Sequence, residues 1–206
     1  MSASALLKQH LSLLKQNAKP VLDLACGSGR NGLYLLKHNI PTVFADKSTL
    51  ALEKITALAL MPAPHCRQVD FETNQQHLQA DSYQAIIVFR YLHRPLMEQI
   101  KQAVCSGGIV IYETFTIENR QFGRPNREQF LLQPGELKQL FNGWQCLYPL
   151  SIKMHLSVVS SDTKTRRSMM TMAAPYRMLQ RSIGFRASDP RGKPLGKHLR
   201  CCEVSI

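Results

Sequence analysis

The 206-residue sequence lacks three features that would each define a class of protein. No apolar run approaches the ~18 residues that a membrane-spanning helix needs. The leucine-rich N-terminus is interrupted by Lys8, Gln9, His10 and Lys15, so it does not have the unbroken apolar stretch of a signal peptide. Its six cysteines form no C-x-x-C pair and have no histidine at zinc-finger spacing, so no metal site is predicted. We therefore expect a cytoplasmic protein with reduced thiols.

Acidic residues are scarce, and the shortage is uneven along the chain. The net charge is +12, from 26 Lys and Arg against 14 Asp and Glu. Residues 1–150 contribute +4 of this charge and residues 151–206 contribute +8. The 44% of hydrophobic residues suffices for a folded core. This asymmetry predicts one domain over residues 1–150 and a basic C-terminal segment over residues 151–206.

Apolar runs alternate with helix-like patterns from residue 20 to about residue 149. The predicted strands are 21–25, 41–45, 66–69, 83–89 and 109–112, with a further candidate at 143–150. The predicted helices are 5–16, 31–37, 48–60, 96–104 and 134–141. Apolar strands separated by helices predict an α/β fold with a doubly wound, mostly parallel, Rossmann-like sheet. Ligands of such sheets bind at the carboxyl ends of the strands.

A glycine-rich loop, VLDLACGSGRNG, follows the first strand, and two interpretations of it compete. Gly27, Gly29 and Gly32 spell G-x-G-x-x-G, and Asp46 stands where an acidic residue binds a ribose, so an NAD-dependent oxidoreductase is one alternative. Asp23, however, places a carboxylate in the strand. A carboxylate is unfavourable beside pyrophosphate but favourable beside an ammonium or a sulfonium, and S-adenosylmethionine carries both of these cations.

The run Asp23-Leu-Ala-Cys-Gly-Ser-Gly resembles motif I of class I S-adenosylmethionine-dependent methyltransferases, with Ala25 where that family usually has glycine. The resemblance implies that Asp46 binds the ribose hydroxyls, that Asp70 contacts the adenine amino group and that Phe71 contacts the adenine ring face. The residues predicted to bind this cofactor are Asp23, Ala25, Gly27, Gly29, Asp46, Asp70, Phe71 and Phe89.

A narrower resemblance covers roughly residues 18 to 148. VLDLACGSGRNGLYLL, ADKS and QVDFE are similar to small bacterial methyltransferases of the tellurite-resistance type. FRYLHRPL, GGIVIYETF and FGRPNREQFLLQPGEL look like uncharacterised bacterial relatives of that type. The acceptor implied is a small molecule, and an anion such as an oxyanion, thiolate or carboxylate suits the arginines in these segments.

Residues for the acceptor side are expected at the ends of the fourth and fifth strands and in the loop after the fifth. His93 is the candidate base because imidazole titrates near neutral pH; Tyr91 lines the pocket or the core. Glu113 either orients the acceptor or caps a helix. At least one of Arg90 and Arg94 is expected in the pocket. The Asn/Asp-Pro-Pro-aromatic motif of amino-directed nucleic-acid methyltransferases is absent here, which argues against methylation of the amino group of adenine or cytosine.

The connection over residues 114–133 is too long for a simple turn and carries Arg120, Arg124 and Arg127. Such a loop commonly covers a site, and three arginines would suit an anionic acceptor. Arg124 is the predicted contact. The alternative is a solvated basic loop.

The regular pattern stops near Tyr148, and three interpretations of the C-terminal segment stay open. The segment is a basic tail that binds a polyanion such as RNA, a divergent end that completes the sheet, or the product of a shifted reading frame. Only Val158–Val159 and Met169–Met172 suggest strands. The third interpretation predicts a sheet without one or two edge strands and impaired activity.

Overall fold

The computed structural model describes residues 2–15, 19–58 and 63–147, together with the backbone of residues 154–160 and 185–186. Its helices are α1 (Ala5–Gln9), α2 (Arg30–Lys37), α3 (Thr49–Thr56), α4 (Met97–Ala103) and α5 (Glu136–Leu140). Its strands are β1 (Val21–Leu24), β2 (Thr42–Asp46), β3 (His65–Gln68), β4 (Tyr83–Phe89), β5 (Val104–Phe115), β6 (Gln145–Cys146), β7 (Met154–Ser160) and β8 (Phe185–Arg186).

The strands form one sheet in the order β3-β2-β1-β4-β5-β7-β6-β8. The first five in this order pair in parallel, and β7 runs antiparallel beside β5. The chain moves outward from β1 to β2 and β3, and then returns to place β4 on the other side of β1. This topological switch point opens a crevice at the carboxyl ends of β1 and β4. The predicted doubly wound, mostly parallel sheet is confirmed.

Successive residues of the central strands pack on opposite faces of the sheet. Ile86 and Val88 of β4 join a cluster with α4 and α5, whereas Ala85, Ile87 and Phe89 join a cluster with α1 and α2. Because helices cover both faces, β1 and β4 are buried along their whole length. This burial explains why their sequences are mostly apolar, and it holds the strand ends in fixed positions.

Two helices differ in length from the sequence predictions. The helix predicted over residues 5–16 ends as α1 at Gln9 and continues after His10 as a 3₁₀ turn at Leu11–Leu13. Leu6, Leu7 and Leu14 are all buried, so the leucine spacing reflects burial rather than one continuous helix. The helix predicted over residues 48–60 is shorter: α3 begins after Ser48, whose hydroxyl accepts a hydrogen bond from the Ala51 N–H at 3.3 Å, and it ends at Thr56.

The strands at the two sides of the sheet also differ from prediction. β3 reads HCRQ and is only partly buried because it is an edge strand of the parallel half. On the other side, β7 spans seven residues around the short Val158–Val159 candidate and pairs with β5 from Ile111 to Phe115. The strand candidate at Val158–Val159 is therefore confirmed as part of a longer strand. The candidate Met169–Met172 lies outside the described residues.

The long connection after β5 is closed at its base. The Ile117 N–H donates to the Leu132 carbonyl at 2.9 Å, and the Leu132 N–H donates to the Phe115 carbonyl at 2.9 Å. Between these contacts lie two 3₁₀ segments, Ile117–Phe122 and Glu128–Phe130. The loop therefore stays at the carboxyl end of β5. Within the residues that the structure describes, no helix is both long and apolar enough to cross a bilayer.

Candidate functional site

The crevice between β1 and β4 is flanked on both sides by residues with an uncommon backbone conformation. Leu24 pairs with Val88 at the end of the two strands. Just beyond this pair, Ala25 has φ +52° and Arg90 has φ +59°, both in the left-handed region that disfavours any residue with a Cβ. Strained non-glycine backbone of this kind concentrates at ligand sites. The crevice is therefore the candidate functional site.

The glycine loop closes one side of the crevice and is tied to the end of β2. The Gly27 N–H donates to Asp46 Oδ2 at 2.7 Å, and the Ser48 N–H donates to Asp46 Oδ1 at 2.9 Å. A Cβ added to Gly27 would meet nothing within 4 Å, so open space lies in front of this residue. A ligand can approach the backbone there, and an acidic residue stands beside it. These features fit a nucleoside such as that of S-adenosylmethionine.

Asp23 lies beneath the loop and is only 2% exposed. Its Oδ2 accepts a hydrogen bond from the Gly32 N–H at 2.8 Å, at the first turn of α2. Burial raises the pKa of Asp23 to about 7, although the Gly32 N–H and Arg30 act in the opposite direction. In the described part of the chain Oδ1 accepts no hydrogen bond. The carboxylate thus supports α2 and keeps one oxygen for a cationic ligand.

Tyr91 stands across the crevice beside an acidic cluster. Burial and the carboxylates of Glu72, Asp70 and Asp46 raise the pKa of its phenol. Asp70 itself is exposed and accepts the Glu72 N–H at 3.0 Å. The backbone of Tyr91 is held in place because the Tyr91 carbonyl accepts a hydrogen bond from the Tyr112 hydroxyl at 2.9 Å. The phenol remains protonated near neutral pH, so Tyr91 can donate a hydrogen bond but cannot act as a general base there.

The two aromatic residues predicted to contact the cofactor belong largely to the core. Phe71 is 4% exposed and packs edge-on against His77 with ring centroids 5.7 Å apart. Phe89 is 9% exposed and packs on the face of the sheet covered by α1 and α2. Little of either ring is left for a ligand. Their predicted contacts with the cofactor stay predictions.

The two arginines near the end of β4 have opposite environments. Arg94 binds Glu136 through Nε at 2.5 Å and through Nη2 at 2.9 Å, and it also donates to the carbonyls of Gln129 and Leu131. The hydrogen bonds to Glu136 raise the pKa of the Arg94 guanidinium. Arg94 therefore holds the loop before α5 against β4. Arg90 is exposed and makes no hydrogen bond or ion pair to any described residue through its side chain.

His93, the predicted base, lies between these arginines and is partly buried. Its carbonyl accepts the Leu96 N–H at 3.2 Å, at the start of the 3₁₀ turn Arg94–Leu96. No described residue forms a hydrogen bond with its imidazole. The ring is thus available to an acceptor, and its catalytic role stays a prediction.

Glu113 makes a contact that the sequence pattern did not reveal. The buried carboxylate accepts the Ser4 hydroxyl at 2.5 Å, while the Ser4 N–H donates to Asn31 Oδ1 at 2.9 Å. Ser4 Oγ also accepts the Leu6 N–H at 3.2 Å and so caps α1. This clasp of Ser4, Asn31 and Glu113 fastens the N-terminal helix to the carboxyl end of β5. Ser4 rather than Glu113 caps the helix, and Glu113 holds the capping hydroxyl; the predicted role of Glu113 toward the acceptor stays a prediction.

We expect Glu113→Ala to lower the free energy of unfolding by about 1–3 kcal/mol, because the buried Ser4 hydroxyl loses its acceptor. Glu113→Gln retains an acceptor oxygen and should lower it by less than about 1 kcal/mol. Urea unfolding of both variants checks this difference. Glu113→Gln should also keep its turnover. A folded Gln variant that loses about tenfold or more of its turnover would instead support a catalytic role for Glu113.

In the loop over residues 114–133, the arginine loop, the three arginines have two kinds of environment. Arg120 lies 3.6 Å from Glu128 and donates to the Asn126 carbonyl, so its guanidinium is occupied within the loop. Arg124 and Arg127 are exposed. Arg124 therefore remains available for the acceptor contact that was predicted for it, and that contact stays a prediction.

Two open surface grooves lie apart from the crevice. One of about 470 Å³ surrounds the Arg94–Glu136 pair, and one of about 430 Å³ lies between α3 and β3. Neither is lined by the glycine loop, by Asp46 or by Tyr91. The chemistry of the strand ends, rather than groove size, identifies the candidate site. The described residues contain no cluster of three metal-ligating side chains.

The sheet order, the glycine loop and the acidic strand ends together define a class I S-adenosylmethionine-dependent methyltransferase fold. TehB from Haemophilus influenzae is similar at 18% identity and a TM-score of 0.59, over 70% of this chain and 52% of that one. An S-adenosylmethionine-dependent methyltransferase from Archaeoglobus fulgidus is similar at 11% identity and a TM-score of 0.56, over 82% of this chain and 76% of that one. The chain thus spans about half the length of the Haemophilus protein. No curated protein matches the sequence.

Residues 9–166 match the family described as tellurite resistance protein TehB, and the chain belongs to that family. The resemblance inferred from the motifs is therefore confirmed. The match runs past Tyr148 to residue 166 and includes β7. This extent favours a divergent C-terminal end that contributes to the sheet. The origin of the remaining basic segment stays open.

Proposed function

We propose that this protein transfers a methyl group from S-adenosylmethionine to a small anionic acceptor. The observation that carries the proposal is the distribution of charge around the crevice. Asp46, Asp70 and Glu72 surround Tyr91 on the β2 and β3 side, whereas the exposed arginines lie at the end of β4 and in the loop after β5. One side suits a cationic nucleoside and the other an anion.

Asp23, Ala25, Gly27, Gly29, Asp46 and Asp70 would hold the cofactor, with Phe71 and Phe89 behind them. When bound, S-adenosylmethionine supplies an activated methyl group that an acceptor displaces in line. Positioning therefore does much of the work. Tyr91 would donate a hydrogen bond, His93 would remove a proton where the acceptor carries one, and Arg124 would contact the acceptor's negative charge.

A small molecule suits this domain better than a nucleic acid does. Residues 1–150 have a charge of only +4, and the remaining +8 belongs to the C-terminal segment. The end of β4 reads FRYLHR and lacks the Asn/Asp-Pro-Pro-aromatic motif. We place the reaction in the cytoplasm. Salt-dependent binding of the whole protein to RNA, measured by fluorescence anisotropy, would instead favour an RNA-modifying enzyme.

Calorimetric titration with S-adenosylhomocysteine and with NADH tests the cofactor. We expect the former to bind and the latter not to bind. Production of S-adenosylhomocysteine is then measured with tellurite, selenite, small thiols and carboxylates as acceptors. Tight binding of NADH without binding of S-adenosylhomocysteine would overturn the proposal in favour of an oxidoreductase. Cofactor binding without turnover on any anion would contradict the acceptor class alone.

A further inference from the structure

Arg90 has a combination of features that a surface arginine does not need. Its φ of +59° lies in the left-handed region, where glycine or asparagine would be less strained. Its N–H donates to the Glu113 carbonyl at 2.6 Å, so the strained backbone is held by β5. The residue follows directly after the last residue of β4, at the switch point of the sheet. The fold therefore maintains a conformational cost at the mouth of the crevice.

Among the residues that the structure describes, the charge of Arg90 is also left without a partner. Its side chain is exposed, and no described residue forms a hydrogen bond or an ion pair with it. Arg94, only four positions later, uses its guanidinium on Glu136 and two carbonyls. The acidic cluster of the crevice surrounds the phenol of the neighbouring Tyr91 instead. Arg90 is thus the arginine at the end of β4 that remains available to a ligand.

We propose that Arg90 binds the anionic group of the methyl acceptor and determines the enzyme's preference for anions. This inference rests on the proposed function and adds Arg90, beside Arg124, as a residue that contacts the acceptor's negative charge. The pinned left-handed backbone sets the direction in which the guanidinium leaves the sheet. The planar guanidinium can then donate two parallel hydrogen bonds to an oxyanion or a carboxylate.

The test measures anion binding directly, with and without saturating S-adenosylhomocysteine. Selenite, tellurite and acetate are titrated by calorimetry into the wild-type protein and into Arg90→Gln, Arg90→Lys and Arg90→Gly. We expect Arg90→Gln to weaken the binding of the preferred anion by about tenfold to hundredfold, because a charge-assisted contact is lost. The anion affinity of Arg90→Lys should lie between that of the wild-type protein and that of Arg90→Gln, because lysine keeps the charge but cannot donate two parallel hydrogen bonds.

Two controls separate recognition from general effects. Lys37→Gln removes one exposed charge at the far end of α2 and should change anion affinity by less than about twofold. Arg90→Gly removes the guanidinium and also relieves the left-handed backbone, so its unfolding temperature should not fall below that of the wild-type protein. Lost anion binding in a protein of undiminished stability cannot be attributed to misfolding. In turnover assays with an accepted anion, Arg90→Gln should raise KM more than it lowers kcat.

The outcomes distinguish this inference from the function on which it rests. Wild-type affinity in Arg90→Gln would overturn the role of Arg90 while leaving the anionic acceptor intact. Loss of anion binding in Arg124→Gln but not in Arg90→Gln would place the anion site at the arginine loop. That result would also overturn the role of Arg90. If no anion binds the wild-type protein, with or without S-adenosylhomocysteine, both the anionic acceptor and the role of Arg90 are wrong.

Discussion

Gly29→Ala is expected to lower the free energy of unfolding by about 2–4 kcal/mol, whereas Gly27→Ala should lower it by only about 1 kcal/mol and abolish tight cofactor binding. Both glycines lie in the same loop and both have positive φ, at +68° and +52°. An added methyl group therefore introduces a similar backbone strain at either position. The difference arises from what each new Cβ would contact.

The Cβ of an alanine at position 29 would lie 2.6 Å from Ile55 Cδ1 and 3.1 Å from Phe44 Cε1. Both of these side chains are almost fully buried, so neither can move without disturbing the packing of α3 on β2. Overpacking of this kind adds about 1–3 kcal/mol to the backbone strain. At position 27 the same methyl group meets no atom within 4 Å and instead occupies the space in front of the loop.

Urea unfolding and calorimetric titration with S-adenosylhomocysteine check the two variants together. Gly27→Ala should remain folded and bind at least about tenfold more weakly. Gly29→Ala should lose more stability, and its binding should weaken less than that of Gly27→Ala, because its added methyl group meets Ile55 and Phe44 rather than the space in front of the loop. Equal destabilisation by the two substitutions, or unchanged binding by Gly27→Ala, would contradict a cofactor site in front of Gly27.

The sequence predicted the parallel half of the fold because every element there carries a local signal. Buried strands such as β4 are mostly apolar, and the residues that end them, such as Asp46, are polar. Gly29 and Ser48 mark the starts of the helices after these strands. These signals depend on neighbouring residues alone. The positions of the strand ends, and hence of the crevice, can be inferred from them.

The roles of individual side chains depended on contacts far apart in the sequence. Arg90 and Arg94 look alike in FRYLHR, but only Arg94 is hydrogen-bonded to Glu136. Glu136 lies 42 residues further along the chain. Glu113 and Ser4 are separated by 109 positions, so the contact between them has no local signature. Only Val158–Val159 of strand β7 was predicted, for the same reason. Its pattern is weak, and its place beside β5 depends on pairing across the sheet.

Asp23→Asn is expected to make the protein without cofactor more stable above neutral pH and to remove one component of its pH dependence. Burial raises the pKa of Asp23 from 3.8 to about 7 in the folded state. The folded state therefore holds a proton that the unfolded chain releases. The stabilisation from this proton is fully present below about pH 4 and is lost as the pH rises through about 7. Its magnitude is about 4 kcal/mol.

An asparagine at position 23 can still accept the Gly32 N–H through its amide oxygen, and it stays neutral at every pH. Below about pH 4 the variant and the wild-type protein should therefore have similar stability. At about pH 8.5 the variant should be more stable by up to about 4 kcal/mol. Asp81→Asn is the matched control, because Asp81 is exposed and its pairing with Lys19 contributes little.

Cofactor binding should show the opposite dependence on Asp23. An ammonium group of the ligand beside Oδ1 favours the ionised carboxylate, so the wild-type affinity for S-adenosylhomocysteine, which carries an ammonium group but no sulfonium, should rise between about pH 6 and about pH 8. Asp23→Asn should bind more weakly at about pH 8 and lack this rise. Calorimetry in buffers of different ionisation enthalpy should detect proton release on binding to the wild-type protein near pH 6. The same pH profiles of stability and binding in both proteins would show that Asp23 does not titrate at the site.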